Sequence, residues 1–387
     1  MENRKNSKLF LVLFLGTLSA FGPFVTDLYL PALPYMTEYF GTSASMVQLT
    51  LTTSMMGMAL GQLVVGPISD KFGRREPLLI SLIIYLLSTI FMLAAANIYT
   101  MIFLRLIQGL SSAGAVVISR AVANDLYEGE DLREFFGLLM AVNGLAPIIS
   151  PVFGAVLLQF VNWKGVFVTL ALIGIILLLV LQKFQESLSE SKRVQGSLLE
   201  VYSNIFLVLK NKLFMSLVFI NSFAFAAMFG YISASPFIFQ TGYGVSSFVY
   251  SLFFAANGFA IMLGARLSSY LSNKKAIFTA LLSLVVSSLF IAITLYFKVS
   301  VFIVEIFFFT LMISMGIMFA SNSALAMSKE RRYSGTASAI LGFFPALFAA
   351  IVSPLVGIGD VFIATGITLV IASVISMLIF QKIKSKI

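Results

Sequence analysis

Few side chains in this 387-residue chain could do chemistry, and their types narrow what that chemistry is. There is no His and no Cys, which excludes imidazole and thiolate ligands and removes the side chain that titrates near neutrality. Proton chemistry must then fall to carboxylates. Asp27 is the conspicuous one, set among three prolines in "GPFVTDLYLPALP" (22–34), inside an apolar stretch. Arg105 is its cationic counterpart in another apolar stretch, with Gln108 and Ser112 at i+3 and i+7 on the same helical face. A charge at bilayer depth costs at least ~2.5–3.5 kcal/mol on insertion scales, so each should face a cavity or a partner. No G-x-x-x-x-G-K-[ST] loop is present, so the chain carries no P-loop ATPase, and neither a metal nor a cofactor is expected.

Those residues need a scaffold that crosses a membrane. At 59% hydrophobic and 11% charged residues, with mean hydropathy +1.01, the chain falls far from the ~25% charge of soluble domains. Its apolar runs are each long enough to span ~30 Å as a helix, and they lack the short alternating pattern of a β-barrel. An all-α polytopic membrane protein is expected, with spans near 9–33, 46–68, 77–96, 98–122, 134–158, 163–182, 213–238, 246–270, 275–296, 300–327, 333–357 and 360–381. Alternate connections then hold nearly all the Lys and Arg, leaving Lys164 and Lys298 on the other face. The positive-inside rule puts both termini in the cytoplasm, and the net charge of +9 reads as membrane topology rather than nucleic-acid binding. The basic head followed by "LFLVLFLG" could pass for a signal peptide, but removing it would leave eleven spans and scramble the alternation. In this frame Asp27 and Arg105 both lie roughly 10 Å below the outer surface, which makes an ion pair between them geometrically possible. Glu305, near the outer end of its span, is expected to snorkel to the interface, and Arg120 and Arg266, near inner ends, to snorkel or act as gate residues.

The longest polar interval, 183–212, divides the chain into an N-terminal six-helix bundle (1–182) and a C-terminal one (213–387). An internal repeat at an offset of 203 supports the division: "SPVFG" at 150–154 matches "SPLVG" at 353–357, Asp70-Lys71 matches Asn273-Lys274, and Gly41 matches Gly244. Paired six-span repeats are a transporter architecture, with the substrate near the midplane.

Several motifs sharpen this. "GPISDKFGRREPLL" (66–79) could be only a positive-inside loop, with Gly66 and Pro67 ending a helix and Gly73 permitting a turn. Its spacing, however, resembles the G-x-x-x-D-R-x-G-R-R loop of the major facilitator superfamily. "RLIQG" (105–109) resembles the R-x-x-Q-G motif of the drug:proton antiporters. "NGLAPIISPVFGAVL" (143–157) resembles their glycine-proline antiporter motif. "TDLYLPALP" and "SRAVANDLYEGED" resemble the Bcr/CflA branch, the bicyclomycin- and chloramphenicol-resistance exporters. Lys71 stands where the family usually has Arg, and Ala155 replaces a glycine.

The resemblance implies the major facilitator fold and a proton-coupled exporter of small molecules in the bacterial inner membrane, monomeric, with Asp27 and Arg105 at the proton-coupling site. Gly144, Pro147, Pro151 and Gly154 fall within one narrow helical arc, suited to close backbone approach; in the family this face seals the substrate path. Asp70 and Arg74 resemble the family's cytoplasmic gate, where the aspartate meets a helix N-terminus of the other half and the arginine pairs with an acid, here Asp125, although Glu128, Glu130 and Asp131 crowd the same loop. Candidate substrate-cavity residues are Tyr29, Gln108, Asn143, Asn221, Phe225, Met228, Tyr231, Asn257 and Asn322, of which the stripe Asn221, Phe225 and Met228 could equally be packing. A proton symporter importing a nutrient shares the architecture. An enzyme or sensor has little to support it without His, Cys or a paired-carboxylate motif.

Overall fold

The computed structural model of the chain describes residues 6–127, 129–193, 207–330 and 334–386, and the regular elements in them are helical. The N-terminal series is α1 (Lys8–Asp27), α2 (Leu33–Phe40), α3 (Ala44–Phe72), α4 (Arg75–Leu93), α5 (Ile98–Leu126), α6 (Gly129–Leu157) and α7 (Trp163–Leu181). The C-terminal series is α8 (Lys212–Pro236), α9 (Ser247–Ser268), α10 (Asn273–Tyr296), α11 (Val301–Lys329), α12 (Ser334–Leu355) and α13 (Val361–Ile383). Among the described residues, ten helical runs are long and apolar enough to cross a membrane, and α1 with α2 counts as one of them. The shorter apolar stretches Leu145–Leu157 of α6 and Ile340–Leu355 of α12 complete the set of twelve.

The helices form two compact units, one of Met1–Tyr29 with Thr53–Glu200, the other of Leu30–Thr52 with Val201–Ile387. Residues 30–52 therefore pack with the C-terminal series. In that unit Gln48 Nε2 donates to Ser233 O at 2.9 Å, Ser45 Oγ to Pro354 O at 2.9 Å, and Gln240 Nε2 to Pro31 O at 3.2 Å.

The first span is not the single helix expected over 9–33. α1 stops at Asp27, and one 3-10 turn (Leu30–Ala32) precedes α2. Pro31 and Pro34 have no N–H to continue the ladder, so the chain breaks just beyond the acid. The second span runs the other way. Gly66 and Pro67 do not end it, because α3 continues through Pro67 to Phe72 before Gly73, at φ +93°, makes the turn. A single proline forfeits one ladder bond, and Ser69 Oγ donates to the Gly66 carbonyl at 2.8 Å.

Inside lipid, helices associate by close packing rather than by a hydrophobic drive, so small residues decide where backbones meet. In the first unit a Cβ on Gly61 of α3 would stand 2.3 Å from Leu110 O of α5; in the second, a Cβ on Gly264 of α9 would stand 2.0 Å from Ile313 O of α11. Both members of the second pair lie 203 residues after those of the first. The offset thus corresponds to the same backbone contact made twice. Around it, the first unit buries Leu15, Phe21, Tyr85, Ile118 and their neighbours as its core.

Candidate functional site

In the first unit the end of α1 meets α4 and α5 in a polar cluster buried within the apolar core. Asp27 is 7% exposed and Arg105 fully buried. Their spacing makes an ion pair geometrically possible. Asp27 Oδ1 accepts a hydrogen bond from Thr26 Oγ1 at 2.8 Å, and Arg105 Nη1 donates to Val25 O at 3.1 Å and to Gln108 Oε1. Gln108 Nε2 in turn donates to Thr89 Oγ1 at 2.8 Å, and Thr89 to Tyr85 O at 2.7 Å. The Arg105 guanidinium lies over the Tyr29 ring, 4.2 Å from its centroid, and Tyr29 packs on Phe167. Asp27, Tyr29, Arg105 and Gln108 are therefore brought together, with the arginine anchored two residues from the acid.

The glycine-proline face of α6 packs on the same corner. A Cβ on Gly154 would lie 1.9 Å from the carbonyl of Leu28, the residue after Asp27, and Ser150 Oγ donates to Pro23 O at 3.4 Å. Pro147 and Pro151 lie inside α6, as do Asn143 and Gly144, whose side-chain environments are outside the described set.

The second unit holds two further clusters. Asn322 Nδ2 donates to Leu217 O and Asn221 Oδ1 at 2.8 and 2.9 Å, and Asn221 Nδ2 to Ser323 Oγ at 3.0 Å. Phe225 packs at an angle against Phe229 and edge-on against Phe319, and Met228 is buried in the same helix. Nearer the other end, Asn257 Nδ2 donates to Tyr231 OH at 2.8 Å and to Glu305 Oε1 at 2.7 Å. Glu305 does not snorkel. It is 8% exposed and turned inward, because Asn257 offers it a donor that the interface reading did not anticipate. Arg120 and Arg266 are exposed, and Arg266 lies over Tyr270.

At the α3–α4 turn the Arg74 side chain gathers two carboxylates. Its Nε and Nη2 form a bidentate pair with Asp125 at 2.8 and 3.1 Å, and Nη1 reaches Asp70 at 2.5 Å. Asp70 engages Arg74 within its own unit. Asp125 is the acid of the crowded loop that pairs with Arg74 among the described residues; Glu128 lies outside them, as do the side chains of Glu130 and Asp131. Burial opposes the charge on Arg74, but the hydrogen bonds and charges of Asp125 and Asp70 more than offset it and hold the guanidinium above its ordinary range. Sequence reasoning missed Glu186, which accepts from the Arg74 and Arg75 backbone N–H groups at 2.9 Å and so caps α4 with an anion. Ser187 adds a bond to Asp125 at 2.8 Å.

Twelve membrane helices in two repeat-related units, with carboxyls buried inside each, define a membrane transporter. The family model for the Major Facilitator Superfamily matches residues 9–354, and the chain belongs to that superfamily, in its Bcr/CflA branch. It is 35% identical over 383 residues to an uncharacterised MFS-type transporter, YdgK, of Bacillus subtilis, spanning 96% of this chain and 95% of that one. It is 30% identical over 273 residues to a bicyclomycin resistance protein homolog of Haemophilus influenzae (70% and 69% covered), and 29% over 256 residues to a chloramphenicol resistance protein of Pseudomonas aeruginosa (66% and 60%). Among solved structures, the inward-facing bacterial homolog of the human lysosomal transporter Spinster superposes with a TM-score of 0.76 over 97% of this chain and 98% of that one. At 16% identity that likeness concerns the fold alone.

Proposed function

We propose that the chain, acting as a monomer with both termini cytoplasmic, exports small-molecule drugs or related metabolites across the bacterial inner membrane in exchange for protons. Asp27 carries this reading. It is a buried carboxyl whose neighbour, Thr26, can serve both of its protonation states. When Asp27 is ionised, the Thr26 hydroxyl donates to it. When Asp27 holds a proton, its O–H can donate to Thr26 Oγ1, whose own hydrogen turns to Gly22 O at 3.1 Å. Either state leaves the hydroxyl satisfied, which suits a group that must load and unload a proton repeatedly.

Arg105 sets the local field and is itself held by Val25 O and Gln108. A change in its distance from Asp27 as the protein alternates between access states would change the acid's affinity for a proton. Of the residues proposed to line the substrate cavity, Phe225 and Met228 offer soft apolar surface to varied cargo. Gln108, Tyr231 and Asn257 make internal hydrogen bonds, Gln108 with Arg105 and Thr89, and Asn257 with Tyr231 and Glu305. The resistance proteins among its relatives support export as the direction. The Arg74–Asp70–Asp125 cluster is the proposed cytoplasmic gate, broken when that side opens.

The test is Asp27→Asn. Substrate added to purified protein in weakly buffered detergent releases protons from the wild type and fewer from the variant, which also confers no drug resistance. Wild-type proton release or resistance in the variant would remove Asp27 from the coupling site. Nutrient uptake driven by an inward proton gradient in proteoliposomes would mark an importer instead.

A further inference from the structure

The site above uses one acid, and the second unit buries another. Glu305 lies one turn into α11, near the end this reading assigns to the outside, yet it is 8% exposed. Its Oε1 accepts from Asn257 Nδ2, and that amide also donates to Tyr231 OH. Glu305 Oε2 and Asn257 Oδ1 are both buried with no hydrogen-bond partner among the described residues. A neutral amide donor cannot replace the water that an ionised carboxylate gives up, so a bare carboxylate here would be costly. A proton on Oε2 removes that cost and supplies the donor that this pair of oxygens lacks.

The surroundings favour a proton over a larger cation. Tyr231 packs on Phe308 at 4.6 Å and on Phe254 at 6.1 Å between ring centroids, and Phe239 covers Phe308 at 6.0 Å. An organic cation would need volume there, and a proton needs none. The ionisable groups facing Glu305 are the phenols of Tyr231 from α8 and of Tyr250 from α9, the latter reached through Ser235 Oγ at 3.1 Å. α12 contains no ionisable residue, and at this end of α10 Tyr296 is exposed. Lys298, in the turn before α11, stacks over Phe362 instead.

The repeat adds an independent argument. At the 203-residue offset Asp27 corresponds to Gly230, the neighbour of Tyr231, and Arg105 corresponds to Phe308, one turn from Glu305. The same two helices of each unit therefore carry a buried carboxyl cluster, with the acid moved from the first helix to the fourth. The π-turn Phe237–Gly242 presents Phe237 and Gln240 to a cavity of about 700 Å³, while Phe239 of the same turn covers the aromatic shell. π-turns often mark places where a helix must adjust.

The geometry points to Glu305 as a second proton-binding site, held by Asn257 and Tyr231, so that each repeat carries one exchangeable proton. The O–H bond forms at Oε2 with a proton from water on the cavity side and breaks when the acid is next opened to water. Its part in transport rests on the antiport reading above; its protonation does not.

Two measurements on the full-length protein in sodium-free buffer decide the matter. Infrared difference spectra taken across a pH titration contain a protonated-carboxyl C=O band that Glu305→Gln removes and Asp27→Asn leaves in place. Tyr231→Phe and Asn257→Ala retain the acid and shift the pH at which the band appears. In parallel, Glu305→Gln lowers the protons released per substrate by one. An unchanged band in a folded Glu305→Gln protein, or one that appears only with added sodium, overturns the proposal. If the wild type releases no protons with substrate, antiport fails and the infrared result still stands on its own. A wild-type proton count in Glu305→Gln, with the band lost, would refute its role as a carrier.

Discussion

Gly154 offers a perturbation whose size can be worked from the structure. An alanine Cβ there would sit 1.9 Å from the Leu28 carbonyl oxygen, against a closest ordinary approach of 3.0 Å. α6 must therefore retreat from α1 by more than about 1 Å, in an interior that resists such shifts. Overpacking of this kind costs roughly 1–3 kcal/mol, partly masked by the ~1 kcal/mol that alanine gains over glycine in a helix. Gly16→Ala supplies the control, because Gly16 lies on α1, where an added Cβ would meet only Val142 of α6 at 3.6 Å. The propensity gain cancels between the two variants. Gly154→Ala should then be less stable than Gly16→Ala by about 1–3 kcal/mol, read as thermal unfolding in detergent. Because the displaced carbonyl is the one following Asp27, Gly154→Ala should also lose most substrate-induced proton release, which Gly16→Ala keeps. Equal stabilities and equal proton release would show that the α1–α6 contact does not hold the acid in place.

Thr26→Val keeps the side chain's shape and removes the hydroxyl that serves Asp27. A hydrogen bond to a charged group is worth ~1.5–3 kcal/mol, so stopped-flow proton release should slow about tenfold or more while the protein remains folded. Asp125→Asn leaves buried Arg74 with Asp70 as its remaining carboxylate partner. Since Asp70 is half-exposed, a loss of about 1–3 kcal/mol in stability is expected, below the ~3–5 kcal/mol of a fully buried pair. The native chain has no Cys, so a Ser119→Cys reporter can follow this gate cleanly. It should react faster with a soluble maleimide when Asp125→Asn is added, and an unchanged rate would argue against the gate.

The span count and the repeat were legible in the sequence because both rest on length, hydropathy and a fixed offset, which lipid imposes directly. The end of α1 was half-legible. Pro31 and Pro34 announced a disturbance, but only the missing N–H groups in their context turn a bend into a break just after Asp27. Depth arithmetic set Asp27 and Arg105 at one level, but it did not show that Val25 O and Gln108 would bond the guanidinium, because rotation about a helix and local carbonyl acceptors leave no trace in spacing. Glu305 was misread for a related reason: proximity to a helix end suggests water, and its partner Asn257 stands 48 residues earlier on another helix. Glu186 gave no signal at all, since nothing in a polar linker shows that it returns to cap α4.

That return has a practical side. Six-plus-six proteins invite dissection into separately expressed halves, and the obvious cut falls where the last apolar span before the linker ends. A fragment ending at Gln182 would lack Glu186 and Ser187, and with them the α4 cap and one bond to Asp125. It would also lose the reciprocal pair in which Asn6 Nδ2 donates to Gln185 O and Gln185 N donates to Asn6 Oδ1, which ties the chain's beginning to the start of the linker. A fragment carried through Arg193 keeps all three, and what either fragment then lacks is the set of C-terminal partners of residues 30–52.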